Sequence, residues 1–168
     1  MRPVAALATV AIALSLALPA TEAGALSCRR PDVARAFRQA GEAAEPTIVV
    51  LGKLSYDTRL LPRGVGMGND SPRHGIRLTA RLRGRSLSGS GFGPRISEKI
   101  ALDIRCVSAW CGRIPPNEEV LMFLRKTDSG HVLEVGPCPQ FFFVTPSEAQ
   151  IATARQCLSG GPCTPGLR

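Results

Sequence analysis

Residues 76–83 read Ile76-Arg-Leu-Thr-Ala-Arg-Leu-Arg83, and their alternation decides the fold class. Ile76, Leu78, Ala80 and Leu82 fall on one face, while Arg77, Thr79, Arg81 and Arg83 fall on the other. A period of two describes a half-buried β-strand with a cationic outer face. Ile96 to Cys106 alternates in the same way, with Ile100, Leu102 and Ile104 inward. The segment between them, Gly84 to Pro94, is rich in Gly and Ser and reads as a flexible connection. The two strands are therefore expected to pair as a long hairpin, bulged at Gly84 or Gly89.

Working outward, Thr47 to Tyr56 holds the continuous run Ile48-Val49-Val50-Leu51, which suits a strand covered on both sides. Glu119 to Arg125 (EVLMFLR) reads as another buried strand. After the Asp128-Ser129-Gly130 turn, His131 to Val135 reads as a fifth. Asp57 to Gly75 and Cys111 to Asn117 are loops broken by Pro and Gly. A helix is expected over Pro31 to Ala44, with Pro31 in the first turn and Val33, Ala36, Phe37 and Ala40 on one face. A second opens at Thr145-Pro146 with Glu148 completing a capping box, and faces Ile151, Ala154 and Leu158 inward. Five strands and two flanking helices imply a mainly β chain closed as a five-stranded antiparallel barrel.

Residues 1–25 read as a secretory signal peptide. Arg2 supplies the basic region, Val4 to Ala20 the apolar region, and Ala23-Gly24-Ala25 a small-x-small cleavage site. An uncleaved anchor is the alternative, although the apolar run is at the short edge of a spanning helix. Acylation at Cys28, giving a lipid-anchored envelope protein, is a third, but Ala25-Leu26-Ser27-Cys28 is a poor lipobox and acylation would leave an odd thiol. Residues 26–168 then form a single domain with no later membrane span. The bias toward Ala, Arg, Gly and Pro is that of a GC-rich bacterial genome. Net charge is +8, and losing Arg2 and Glu22 leaves it unchanged. The charge is uneven: Arg73, Arg77, Arg81, Arg83, Arg85, Arg95, Lys99 and Arg105 are opposed only by Glu98 and Asp103.

Six cysteines follow the leader: Cys28, Cys106, Cys111, Cys138, Cys157 and Cys163. An even count behind an export signal implies disulfides in an oxidising compartment, secreted or periplasmic. Counting alone leaves about 15 connectivities open.

The order of these features resembles the netrin-like module, the family that includes the tissue inhibitors of metalloproteinases. Cys28-Arg-Arg-Pro-Asp-Val-Ala-Arg-Ala-Phe37 is similar to its opening cysteine and short helix, and Ile48-Val-Val-Leu-Gly-Lys53 to its first strand. Cys111-Gly112 ahead of EVLMFL, then Cys138, then a helix ending in Cys157 continue the likeness over residues 28–158. The resemblance implies an OB-like five-stranded barrel flanked by helices. Carried over by position, it implies a Cys28–Cys138 bond and leaves Cys106–Cys111 and Cys157–Cys163 as local pairs. In the animal inhibitors the amine and carbonyl of an N-terminal cysteine chelate the protease zinc. Cleavage after Ser27 would expose Cys28, but its spacing to Phe37 matches the family's second cysteine, and Leu26 stands where the chelating one belongs.

No nucleophile with a base and orienting acid is recognisable, so catalysis is not expected. No cofactor or metal is expected either. His74 and His131 lack ligand spacing and read as a solvated loop residue and an exposed strand end. Cys106 and Cys111 are spaced Cys-x4-Cys, unlike the Cys-x-x-Cys of oxidoreductases. The candidate anion- or partner-binding residues are Arg77, Arg81, Arg83, Arg85 and Arg95, facing an anionic lipid, polyanionic glycan or acidic protein patch. A solvated polar face is the alternative. Nucleic acid is disfavoured, because aromatics are 5% of residues and the basic strand carries none. Trp110 and Phe142, the latter within Phe141-Phe142-Phe143, are candidate contact residues, with packing on the barrel as the alternative for each. The sequence thus points to an exported, disulfide-stabilised binding or structural module acting by contact. Inhibition of an extracellular or periplasmic metalloprotease and lipid anchoring are the alternatives.

Overall fold

The alternating segment lies in the middle of a ring of five strands. The computed structural model describes residues 27–61, 75–107 and 110–166. The expected leader and residues 62–74 of the Asp57–Gly75 loop, His74 among them, lie outside the described residues. In chain order the elements are α1 (Val33–Glu42), β1 (Thr47–Ser55), a 3-10 turn (Thr58–Leu60), β2 (Ile76–Ser88), β3 (Gly91–Ile104), β4 (Cys106–Val107), β5 (Trp110–Cys111), β6 (Glu119–Thr127), β7 (Gly130–Val135), β8 (Phe142–Val144) and α2 (Glu148–Leu158). The ring runs β1-β2-β3-β7-β6 and returns to β1. β8 pairs with the first part of β6, Val120↔Val144 to Met122↔Phe142.

One pairing departs from the antiparallel expectation. β3 and β7 run parallel, from Ala101↔Val132 to Ile104↔Val135. The reason is arithmetic: strand direction cannot alternate all the way round a closed ring of odd number, so one neighbouring pair must be parallel. The segment read as flexible is also different. Gly84 to Ser88 belongs to β2 and Gly91 to Pro94 to β3, so the hairpin turns only at Gly89-Ser90. The bulge lies beyond Gly84, between Arg85 and Leu87. It bends the tip so that Leu87 and Phe92 pack against the helix-covered layer.

The core has two layers. Inside the ring, Val50, Leu54, Leu78, Leu82, Ile100, Leu102, Ile104, Met122, Leu124 and Leu133 are buried together. Outside it, α1 and α2 cover β1 and β6 through Val33, Ala36, Val49, Leu121, Phe123, Phe143 and Ala154. Phe37 meets Phe123 edge-on, with ring centroids 5.1 Å apart. The continuous apolar runs of β1 and β6 therefore serve both layers, as a strand covered on two faces requires. Gly52 and Gly84 face each other across β1 and β2, where an added Cβ on either would fall 2.4 Å from a backbone oxygen of the other strand. That contact leaves room for glycine alone and lets the ring turn a tight corner.

Both helix starts differ from expectation. Asp32 caps α1, accepting from Arg35 N at 2.8 Å, so Pro31 precedes the cap. Its other carboxylate oxygen accepts from Gly166 N at 3.0 Å and ties the last described residues to α1. Ser147, not Thr145, caps α2, in a capping box with Gln150. Thr145 is held in a left-handed turn (φ 48°), and its N–H donates to Glu119 O at 2.8 Å. On α2, Ala154 is buried, but Leu158 at the helix end is exposed.

Three disulfides join Cys28–Cys138, as the resemblance implied, and Cys106–Cys111 and Cys157–Cys163, the expected local pairs. Such bonds are a mark of an oxidising compartment. Among the described residues no helix is long and apolar enough to cross a membrane. Cys28–Cys138 spans a sequence separation of 110, whereas Cys106–Cys111 spans 5. In the chain-entropy account, replacing both cysteines of the long bridge by Ser lowers stability by about 4–5 kcal/mol. The same change at Cys106 and Cys111 lowers it by about 2 kcal/mol. Urea unfolding of the two double variants measures the difference.

Tyr56, the single tyrosine of the chain, packs beside the inner core, and its hydroxyl donates to the Ile114 carbonyl. Burial raises its phenol above the ordinary value, with the Arg113 charge opposing. The neutral phenol is thus favoured by folding. Its contribution is complete below the unfolded-state value and is lost as pH rises through the folded one. Absorbance titration at ~295 nm should give a native midpoint above 10.0 that falls on unfolding. A native midpoint at or below the unfolded one contradicts this.

Candidate functional site

The outer face of β2 presents Arg77, Arg81, Arg83 and Arg85, all exposed, because inward positions are taken by Leu78, Ala80 and Leu82. Register decides what each of them meets. Arg83 is opposite Lys53 on β1. Arg81 is opposite Lys99, and Arg85 opposite Arg95, both on β3. Directly paired residues of antiparallel strands point to the same face. Three like-charged pairs are therefore stacked on adjacent rows. Strands lie about 4.8 Å apart and alternate residues about 6.8 Å apart, so the six cations share one compact surface.

The carboxylates in this region are engaged elsewhere. Glu98 Oε1 lies 2.6 Å from His131 Nδ1 on the inner side of the hairpin. Asp103 is 3.0 Å from Arg105, and Glu134 is 3.8 Å from the same guanidinium. Among the described residues, none of the six cations forms an ion pair. The exception is Glu119 on β6, directly opposite Lys53, which puts one carboxylate on the Lys53–Arg83 row without an ion pair among the described residues. A hollow of about 460 Å³ opens at one end of the face, lined by Lys53, Ser55, Arg81, Arg83 and Asn117 among others. Asn117 is fixed there in a left-handed conformation, and its N–H donates to Leu54 O at 2.7 Å.

Of the candidates read from sequence, Arg81, Arg83, Arg85 and Arg95 come together. Arg77 stands apart: its register neighbour is Asp103, whose carboxylate is 3.0 Å from Arg105, and not another cation. Lys53 and Lys99 complete the group and were not among the candidates. Lys53 interrupts an apolar run on a different strand, and only the β1–β2 register reveals its place. His131 is not an exposed strand end but half-buried and hydrogen-bonded to Glu98. Phe142, on β8, is 3% exposed and packs with the inner core. Phe143 and Phe141 turn to the outer layer instead. Trp110 is 45% exposed, opposite exposed Val107 on the two-residue ladder beside the Cys106–Cys111 bond.

Among the described residues no three His, Cys, Asp or Glu side chains are grouped to hold a metal ion. Compared with protein-family models, curated proteins and solved structures, the chain finds no match.

Facing like charges weaken a sheet. Arg85→Glu converts the Arg85–Arg95 pair into an opposite-charge pair and should stabilise the fold by about 0.2–1 kcal/mol. The gain should shrink as salt screens it. Thermal melts at low and high ionic strength read both effects; a destabilised variant at low salt would contradict the pairing.

Proposed function

We propose that this chain is a secreted or periplasmic contact module of the netrin-like type, and that the basic β1-β2-β3 face binds an acidic polysaccharide. Three cross-strand cation pairs carry this reading. Folding gains nothing from them, since like charges directly opposite one another destabilise a sheet. A polyanion placed across the rows would neutralise all three pairs at once through charge-assisted contacts. Several rows of charge suit a ligand that is itself a chain of sulfates or carboxylates better than a single anion. The five-strand ring, the two helices and the Cys28–Cys138 bond support the netrin-like reading. The protein acts by contact and not by catalysis.

Retention on heparin resin tests the proposal. Wild-type protein should be held at low salt and released as ionic strength rises. The Lys53→Ser, Arg81→Ser, Arg83→Ser triple variant should bind about 10-fold more weakly at physiological salt. Arg77→Ser, which lies outside the three cation rows, should change less. Equal loss in Arg77→Ser and the triple variant would mean bulk charge alone, and unchanged retention in the triple variant would remove the reading.

A further inference from the structure

A groove opens where the ring wall is incomplete. The β1–β2 ladder runs only from Val50↔Ser86 to Ser55↔Arg81. Thr47, Ile48 and Val49 pair with β6 but not with β2. The bulge after Arg85 lies where β2 leaves β1. Behind it is a cavity of about 730 Å³, within the range of small-molecule sites. Ile48 and Ile96 reach it from the inner core, Val49, Leu87 and Phe37 from the outer layer, and Leu158 from the end of α2. The remaining wall is the end of α1 and the chain after it, where Ala40, Gly41, Ala43 and Ala44 carry too little side chain to fill the space. This explains why Leu158, expected in the core, is exposed: it borders the opening.

Two charged residues stand at the cavity. Glu45 is engaged, with Oε1 3.1 Å from Arg125 Nη1. Arg95 is exposed and forms no ion pair among the described residues. An open, mainly apolar groove with one cation free of ion pairs at its edge suits an apolar body ending in a negative head. We propose that this cavity binds a small anionic amphiphile, a medium- or long-chain carboxylate, with its tail between the two core layers and its head on Arg95. The tail gains by leaving water, and the head gains a charge-assisted hydrogen bond at the rim. This site is separate from the polysaccharide face; Arg95 is the residue that borders both.

Isothermal titration with octanoate, decanoate and dodecanoate, each below its micelle concentration, tests the proposal on the intact disulfide-bonded protein. Each added CH₂ should tighten binding about 4-fold, until the groove is full. Arg95→Gln should weaken dodecanoate binding about 10-fold. Gly41→Phe should weaken it, because Gly41 borders the groove and an added Cβ there meets nothing within 4 Å. The Arg81→Ser, Arg83→Ser pair should bind dodecanoate as the wild type does, which separates this site from the basic face. Circular dichroism and melting temperature confirm that each variant is folded. Affinity independent of chain length, or undiminished in a folded Gly41→Phe variant, would overturn the proposal. So would dodecanoate affinity that follows Arg81 and Arg83 instead of Arg95.

Discussion

A ring of five strands must contain one parallel neighbour pair, and here the pair is β3 and β7. Parallel neighbours cannot be joined by a tight turn. The chain therefore leaves β3 at Ile104, makes the small β4–β5 ladder, crosses Pro115-Pro116 and lays down β6 before β7 can close the circle. At that junction Arg105 N donates to Val135 O and Gly112 N to Arg105 O, at 2.9 and 2.8 Å. An added Cβ on Gly112 would fall 1.9 Å from Val135 O, so the crossing chain runs hard against the end of β7. Closure fixes the register of the other strands, and the register decides which residues share a face.

The same closure divides the core. Because β1 and β6 are neighbours in the ring and both lie beneath the helices, their side chains feed an inner and an outer layer alternately. Val49 and Val50, one residue apart, belong to different clusters. β2 and β3 along most of their length are covered on one side only, and that is where the arginines can stand in solvent. A chain of this length has few faces to spare, and the free outer surface of the hairpin has been given almost wholly to one sign of charge.

The alternation of β2 and β3 and the unbroken apolar runs of β1 and β6 were legible because each strand's covering leaves its mark on its own side-chain period. The Gly and Ser content of residues 84–94 misled, since composition reports flexibility while pairing and the anchoring of Leu87 and Phe92 decide structure. Thr145 looked like a cap because it has the right side chain at a plausible spacing. Its backbone was already committed to Glu119, twenty-six residues earlier in the chain. The site was half legible. Arginines on one strand announce themselves, but only hydrogen-bonded register shows that Lys53 joins them and that Arg77 faces no cation. The cavity left no sequence signal beyond the small residues after Phe37, because it is a property of where a ladder stops.

The order of the cysteines sets a demand on how this protein is made. Cys28 precedes Cys106 and Cys111 in the chain, yet its partner is Cys138, beyond both. Synthesis delivers the wrong partners first. An oxidase that joins cysteines as they appear would link Cys28 to Cys106, and the native bond would then require attack by a free thiolate on that link. The short β4–β5 ladder offers an escape, since it holds Cys106 directly across from Cys111 and removes both from competition once it forms. Yield in a given host should therefore follow its capacity to reshuffle disulfides more closely than its capacity to form them.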